Sequence, residues 1–193
     1  AGPINAFNKS SGSVIGNGDT VVLPDAPATV FEHEAELGIV IGRRASAIKA
    51  EHAYDHIFGY VNFIDVSCRG AGPQGRDSFF IGKSWDTFGP MGPALVTADE
   101  VANPHDLPIR LSVQGELRQD YSTSGMAHKI PEMLEWITWV TTLEPGDVVE
   151  VRPGSQNRTY FRDLKAVETT YSAPKWLTRD LSLLSGKVLN LPA

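Results

Sequence analysis

The sequence predicts a β-rich α+β domain, and three observations carry that expectation. Two apolar runs, Glu34 to Ile41 and Tyr60 to Val66, are continuous enough for buried strands. Ile109, Leu111 and Val113 alternate, and Gln114-Gly115 then offers a two-residue turn into Glu116 to Tyr121, which is a hairpin pattern. Against these, the clearest helical stripe is short: Met133, Leu134, Ile137 and Val140 within Pro131 to Thr142. At 193 residues the chain suffices for one sizeable core, so a single domain over 1–193 is expected.

Taken in order, residues 1–20 are rich in Gly, Ser and Asn and read as a loop-rich start. The short apolar run Val21-Val22-Leu23 ends at Pro24 and Pro27. Glu34 to Ile41 is the first long strand, closed by Gly42-Arg43-Arg44. Ala50, Ala53, Tyr54 and Ile57 have helical spacing, so a short surface helix should lead into the strand Tyr60 to Val66. From Arg69 to Phe80 glycines, Pro73 and polar residues predict a long loop, and Ile81 to Pro90 is dense in turn signals. Gly92 to Val96 reads as a strand, with Thr97 as a helix cap before Asp99 and Glu100. After the hairpin, Pro131 suits the first turn of a helix; Trp136 and Trp139 flank its stripe as core or interface residues. Glu144-Pro145-Gly146-Asp147 turns the chain into the strand Val148 to Val151. Beyond it the character changes: 152–172 is polar and weakly patterned, while Trp176, Leu177, Leu181, Leu184 and Val188 could line a short amphipathic helix interrupted by Gly186.

Composition removes several function classes. A formal net charge of -6 without a Lys/Arg run argues against a nucleic-acid partner, since phosphate binding needs clustered cations. No apolar stretch approaches the ~20 residues of a membrane span, and the start lacks the basic-then-apolar layout of a signal peptide. A soluble, cytoplasmic chain with no membrane partner is the expectation. The single Cys68 excludes an internal disulfide and reads as a small packed residue. Gly82-Lys83-Ser84 looks like the end of a phosphate-binding loop, but position 77 is Asp and Phe79 and Phe80 fill the loop interior, so a nucleotide site is rejected. His52 and His56, four apart, have no third ligand nearby and read as solvated.

The chemistry gathers on Phe31-Glu32-His33-Glu34-Ala35-Glu36. Strand side chains two apart share a face, so Glu32, Glu34 and Glu36 project together. They form either a solvated face or a cation site, because neighbouring carboxylates repel unless a proton or cation is shared. Asp65, flanked by Phe63, Ile64 and Val66, is costly to bury alone. Glu34, Glu36 and Asp65 would together supply three hard oxygen ligands, suited to Mg2+ or Mn2+. Arg69 and Lys83, downstream of Asp65, either balance these acids or hold a substrate carboxylate and a developing oxyanion.

The ordered series His33 to Gly42, Gly59-Tyr60 with Asp65-Val66-Ser67-Cys68-Arg69, Gly82 to Phe88 with Gly92-Pro93, Val113 to Glu116, Thr123-Ser124-Gly125-Met126 and Leu143 to Val148 resembles the fumarylacetoacetate hydrolase family. The resemblance spans roughly residues 5 to 151. It implies a mixed β-sandwich or roll with few helices, usually dimeric, with Glu34, Glu36 and Asp65 as metal ligands, Mg2+ or Mn2+ as cofactor, and no role for Glu32, which is expected at a solvent rim. It further implies Arg69 and Lys83 as residues around the substrate and its oxyanion, Thr123 as a substrate contact, and a small keto acid as substrate. The expected activity is hydrolysis of a C–C bond in a β-diketo or 2-oxo acid; isomerisation or decarboxylation on the same site, a silent metal-binding member, and a metal-free acidic module are the alternatives. Members usually carry, ahead of this region, a His and a Glu that activate water, which residues 1–193 do not contain. Gly70 and Gly72 stand where polar residues are usual, and Arg152-Pro153-Gly154-Ser155 replaces the usual Gly-Thr turn, so 152–193 reads as a divergent tail.

Overall fold

One long antiparallel pair of strands sets the frame. The computed structural model describes residues 3–28, 30–73 and 78–151, together with the backbone of 177–180 and 185–188. A two-residue strand β1 (Val14–Ile15) precedes β2 (Val30–Ile41), and a 3-10 turn (Ala50–His56) leads into β3 (Ile57–Arg69). There follow a short helix α1 (Phe79–Lys83), β4 (Gly89–Thr97), the hairpin β5 (Pro108–Val113) and β6 (Glu116–Ser122), helix α2 (Ile130–Val140) and β7 (Val148–Val151). The main sheet runs β1-β4-β3-β2-β7, with β1 parallel to β4 and the other neighbours antiparallel. This is the expected mixed, β-rich arrangement with few helices. Among the described residues no helix is long and apolar enough to cross a membrane.

The alternation of β2 decides which face meets what. Leu37, Ile39 and Ile41 enter a core with Tyr60 of β3, Val151 of β7, and Ile130 and Leu134 of α2. Farther along the sheet Val66, Cys68 and Phe88 form a second cluster, against which Phe31, Ile64 and Trp85 pack. The opposite face of β2 carries the glutamates beside the buried Phe63 and Val61 of β3, so this sheet is buried on both sides and acidic on one. Close approach of β3 and β4 needs Gly59, where a Cβ would lie 2.2 Å from the Val96 carbonyl oxygen. In the hairpin, Gln114 (φ 54°) and Gly115 (φ 82°) are both left-handed, as a two-residue turn matched to strand twist requires.

Four expectations are corrected. The segment read as loop and turns contains α1, because Ser78 caps it by accepting the Ile81 N–H at 3.2 Å. Of the expected α2 stripe, Leu134 is buried and Met133 and Ile137 pack against the core, but Val140 is 65% exposed and Trp139 77%; Ile130 and Thr138 complete the buried side, Thr138 donating to Leu134 O at 2.7 Å and accepting from Ile48 N at 3.2 Å. Trp136 is half-buried. The amphipathic helix expected near the end is instead an antiparallel pair, β8 (Leu177–Asp180) with β9 (Ser185–Val188). Gly186 and the β-branched Thr178 and Val188 weaken a helix there and suit strands. The residues after Thr97 form only a 3-10 turn (Ala98–Glu100). The expectations for 152–172, Trp176, Leu181, Leu184 and Asp77 lie outside the described residues.

Candidate metal centre

The β2–β3 register places Glu34 directly opposite Asp65. Residues paired across an antiparallel ladder bring their Cβ atoms to about 5 Å on one face, so the two carboxylates converge by backbone geometry alone. Glu36 follows two residues along that face. One carboxylate oxygen from each of Glu34, Glu36 and Asp65 lies within 4.8 Å of the others, and all three side chains are buried. The solvated-face alternative therefore fails for these residues.

Two lysines reach the acids from other parts of the chain. Lys83, the last residue of α1, donates from Nζ to Glu34 Oε2 at 2.8 Å, to Ser67 Oγ at 2.6 Å and to Asp65 Oδ2. An ammonium carries three N–H donors, and these three acceptors use them all. Lys9, in the irregular start of the chain, donates to Asp65 Oδ1 at 2.7 Å, to Val66 O at 3.3 Å and to the Lys83 carbonyl. Nearby, Phe7 stacks on Phe79 with ring centroids 4.9 Å apart, and Lys83 Nζ lies 5.2 Å from the Phe7 ring centroid. The loop-rich start is thus folded onto the acidic face.

Glu36 is differently placed. It is 6% exposed, and among the described residues its carboxylate makes no hydrogen bond or ion pair. Burial, then the charges of Asp65, Glu150 and Glu34, pushes its pKa up to about 8, with Lys83 acting weakly the other way. Glu150 of β7, opposite Gly38 of β2, is pushed up to about 7 by burial and by Asp65, against the pull of Lys9 and Lys83. Counted as ionised, Glu34, Glu36, Asp65 and Glu150 outnumber the two ammonium groups by two charges. One divalent cation would cancel that excess.

The donor set fits such an ion on its own chemistry. Oxygens on opposite sides of a cation at about 2.1 Å lie about 4.2 Å apart, which the observed clustering accommodates. An unpartnered buried carboxylate in an all-oxygen group is the donor a hard dication uses and a zinc site does not need.

Arg69 is held at the end of β3 by Glu32, whose Oε2 accepts from Nε at 2.8 Å and lies 2.6 Å from Nη2; Nη2 is 3.7 Å from Glu34 Oε1. Burial acts to lower the Arg69 pKa, and the hydrogen bond and charge of Glu32 together with the charges of Glu34 and Asp65 offset it, so the net shift is upward. Glu32 lies at the rim as expected, but it is ion-paired to Arg69 and only 18% exposed, not left in solvent. The alternation that aligns it with Glu34 also sets it diagonal to Arg69, whose register partner is Val30. Thr123 is fully buried; its hydroxyl accepts from Leu107 N at 2.9 Å and its N–H donates to Leu107 O at 3.0 Å, which closes the base of the hairpin. Cys68 is a packed residue receiving the Trp85 Nε1–H at 3.1 Å. His52 is exposed beside Glu51 and Asp55, and His56 lies 3.3 Å from Arg43 O, so the pair stays on the surface turn.

Sequence reasoning missed Lys9, Ser67 and Glu150. Glu150 carried the same signal as Asp65, one acid among β-branched residues in a short strand. Lys9 carried none, since a lysine in a Gly/Ser/Asn-rich stretch is ordinary.

These features are those of a known class. The Fumarylacetoacetate (FAA) hydrolase C-terminal family matches residues 2–169, and the chain belongs to that family. It is 41% identical over 145 residues to a mitochondrial oxaloacetate tautomerase of Bos taurus, covering 74% of this chain and 46% of that one. A solved maleylpyruvate hydrolase from Sphingobium, in complex with manganese(II) and pyruvate, superposes with TM-score 0.69 at 36% identity, covering 76% of this chain and 53% of that one. A solved 5-carboxymethyl-2-hydroxymuconate delta-isomerase from Mycobacterium smegmatis gives TM-score 0.68 at 38% identity, covering 77% and 58%. The chain thus spans about half the length of these relatives.

Proposed function

We propose that this chain carries the cation-holding site of a metal-dependent enzyme acting on a small 2-oxo or β-diketo acid, with hydrolysis of a C–C bond as the reaction. Glu34, Glu36 and Asp65 would hold Mg2+ or Mn2+, and the single observation that carries this is the buried Glu36 carboxylate, which has no hydrogen-bond or ion-pair partner among the described residues. The manganese(II) and pyruvate of the Sphingobium relative support both the ion and the acid class. When bound, the cation supplies Lewis-acid chemistry at a keto oxygen.

The protein's own side chains then have defined tasks. Arg69 would pair with a substrate carboxylate, for which its planar fork of donors is suited. Lys83 would steady negative charge developing on an oxygen. Because its three N–H groups are engaged, it must give one up, and the neutral Ser67 hydroxyl is the weakest of the three acceptors. Thr123 is proposed as a further substrate contact through its position after β6. Pairing as a homodimer belongs to the same proposal, with Phe58, Leu95 and Val96 as exposed apolar side chains on neighbouring strands.

A second reading, keto–enol isomerisation, is favoured by one observation. The 41% identical Bos taurus relative is an oxaloacetate tautomerase, and proton transfer with charge stabilisation suffices for tautomerisation. Purified protein assayed with acylpyruvates and with oxaloacetate, with and without Mg2+ or Mn2+, separates the two. Metal-dependent loss of acylpyruvate supports hydrolysis, metal-dependent enol turnover alone supports isomerisation, and no metal-dependent reaction with either argues against catalysis by this chain.

A further inference from the structure

Arg69 stands within reach of two carboxylates, and only one of them belongs to the candidate metal centre. Its Nε and Nη2 converge on one oxygen of Glu32 at 2.8 and 2.6 Å, while Nη2 is 3.7 Å from Glu34 Oε1, just beyond hydrogen-bond distance. Glu32 is 18% exposed and Arg69 37%, so the pair sits at the mouth of the buried face, with Glu34 immediately inside it. A guanidinium is permanently charged and binds carboxylates strongly. Closing that remaining gap would put it on an oxygen of Glu34, where it would take lone pairs from an incoming dication and repel it.

We propose that Glu32 is a positioning residue that holds Arg69 away from Glu34, so that the metal-ligand oxygen stays available while the arginine remains at the entrance for a substrate carboxylate. The inference rests on the reading of Glu34, Glu36 and Asp65 as a metal site. It gives a task to the one glutamate of the β2 face that neither spacing nor family resemblance employed. It also explains why a cation can be kept beside an acidic centre without filling it: a dedicated counter-ion on the same strand face, two residues from Glu34, retains it.

Calorimetric titration with Mn2+ alone tests this in a double-mutant cycle of Glu32→Ala and Arg69→Gln, with Glu32→Gln as the isosteric second variant should truncation impair folding. With Arg69 present, Glu32→Ala should weaken Mn2+ binding by about tenfold, the size of a coupling between contacting groups. In the Arg69→Gln background the same truncation should cost about twofold or less, because no guanidinium remains to move. Equal losses in the two backgrounds would show that Glu32 acts only through its charge and would overturn the proposal. So would an unchanged affinity in Glu32→Ala. Absence of Mn2+ binding by the unaltered protein would instead remove the metal-site reading, and this inference with it.

Discussion

At the level of single residues, Lys83 and Glu36 divide the labour of keeping buried acids together. Lys83 neutralises Glu34 and Asp65 through direct bonds. Replacing it by Met leaves two buried carboxylates short of a counter-ion, which typically costs about 3 to 5 kcal/mol. Urea denaturation of Lys83→Met at pH 7 should show a loss of that order. Glu36 predicts a pH dependence of opposite sense to an ordinary paired acid. Its pKa rises from 4.5 to about 8 on folding, through burial first and then the neighbouring carboxylates. The folded state therefore binds a proton that the unfolded chain has released. Stability is fully present below about pH 4.5 and is lost as pH rises through about 8. Metal-free protein should lose on the order of 3 to 5 kcal/mol across that interval, and Glu36→Gln should flatten the profile in denaturation measured from pH 5 to 9. At this scale the sequence was legible where strand alternation applied. Glu34, Glu36 and Asp65 follow from a period of two and from the cost of burying one acid. Lys9 does not, because its contact with Asp65 depends on where a loop without periodicity is laid down.

Among the elements, the β2–β3 ladder makes the site, and its neighbours hold it in place. Gly59 allows β4 to approach β3, since any side chain would meet the Val96 carbonyl at 2.2 Å. Gly115 is needed for a different reason, its left-handed φ of 82°, and an added Cβ there meets nothing within 4 Å. Gly59→Ala should thus cost more than about 3 kcal/mol, through backbone displacement in the sheet, and Gly115→Ala about 1 kcal/mol, through local strain alone. Thermal unfolding of the two variants side by side checks the ranking; a Gly59→Ala protein as stable as the Gly115→Ala protein would contradict the packing argument. The long strands and the hairpin could be read from sequence because burial and turn chemistry both mark them. α1 could not, since five residues hold no helical period, and its start depends on the single hydroxyl of Ser78. The segment near the C-terminus misled for a related reason: its leucines matched helical spacing, yet Gly186 and the β-branched residues favoured strands.

On the scale of the whole molecule, a sheet buried on both faces gives an apolar core on one side and an under-neutralised acidic chamber on the other. The chamber is assembled from β2, β3, β7, α1 and the loop-rich start, and no single segment contains it. That explains why motif order pointed to the family while the second lysine and the fourth acid stayed out of sight. Among the described residues, the excess of acid over base and the unpartnered Glu36 within it point to divalent-cation binding. Calorimetric titration of the purified chain with Mn2+ tests it most directly. One ion should bind per chain, with protons released at pH 7 because Glu36 must give up its own, and Asp65→Asn or Glu36→Gln should lose at least about tenfold in affinity. No binding, or binding that both variants retain unchanged, would contradict it.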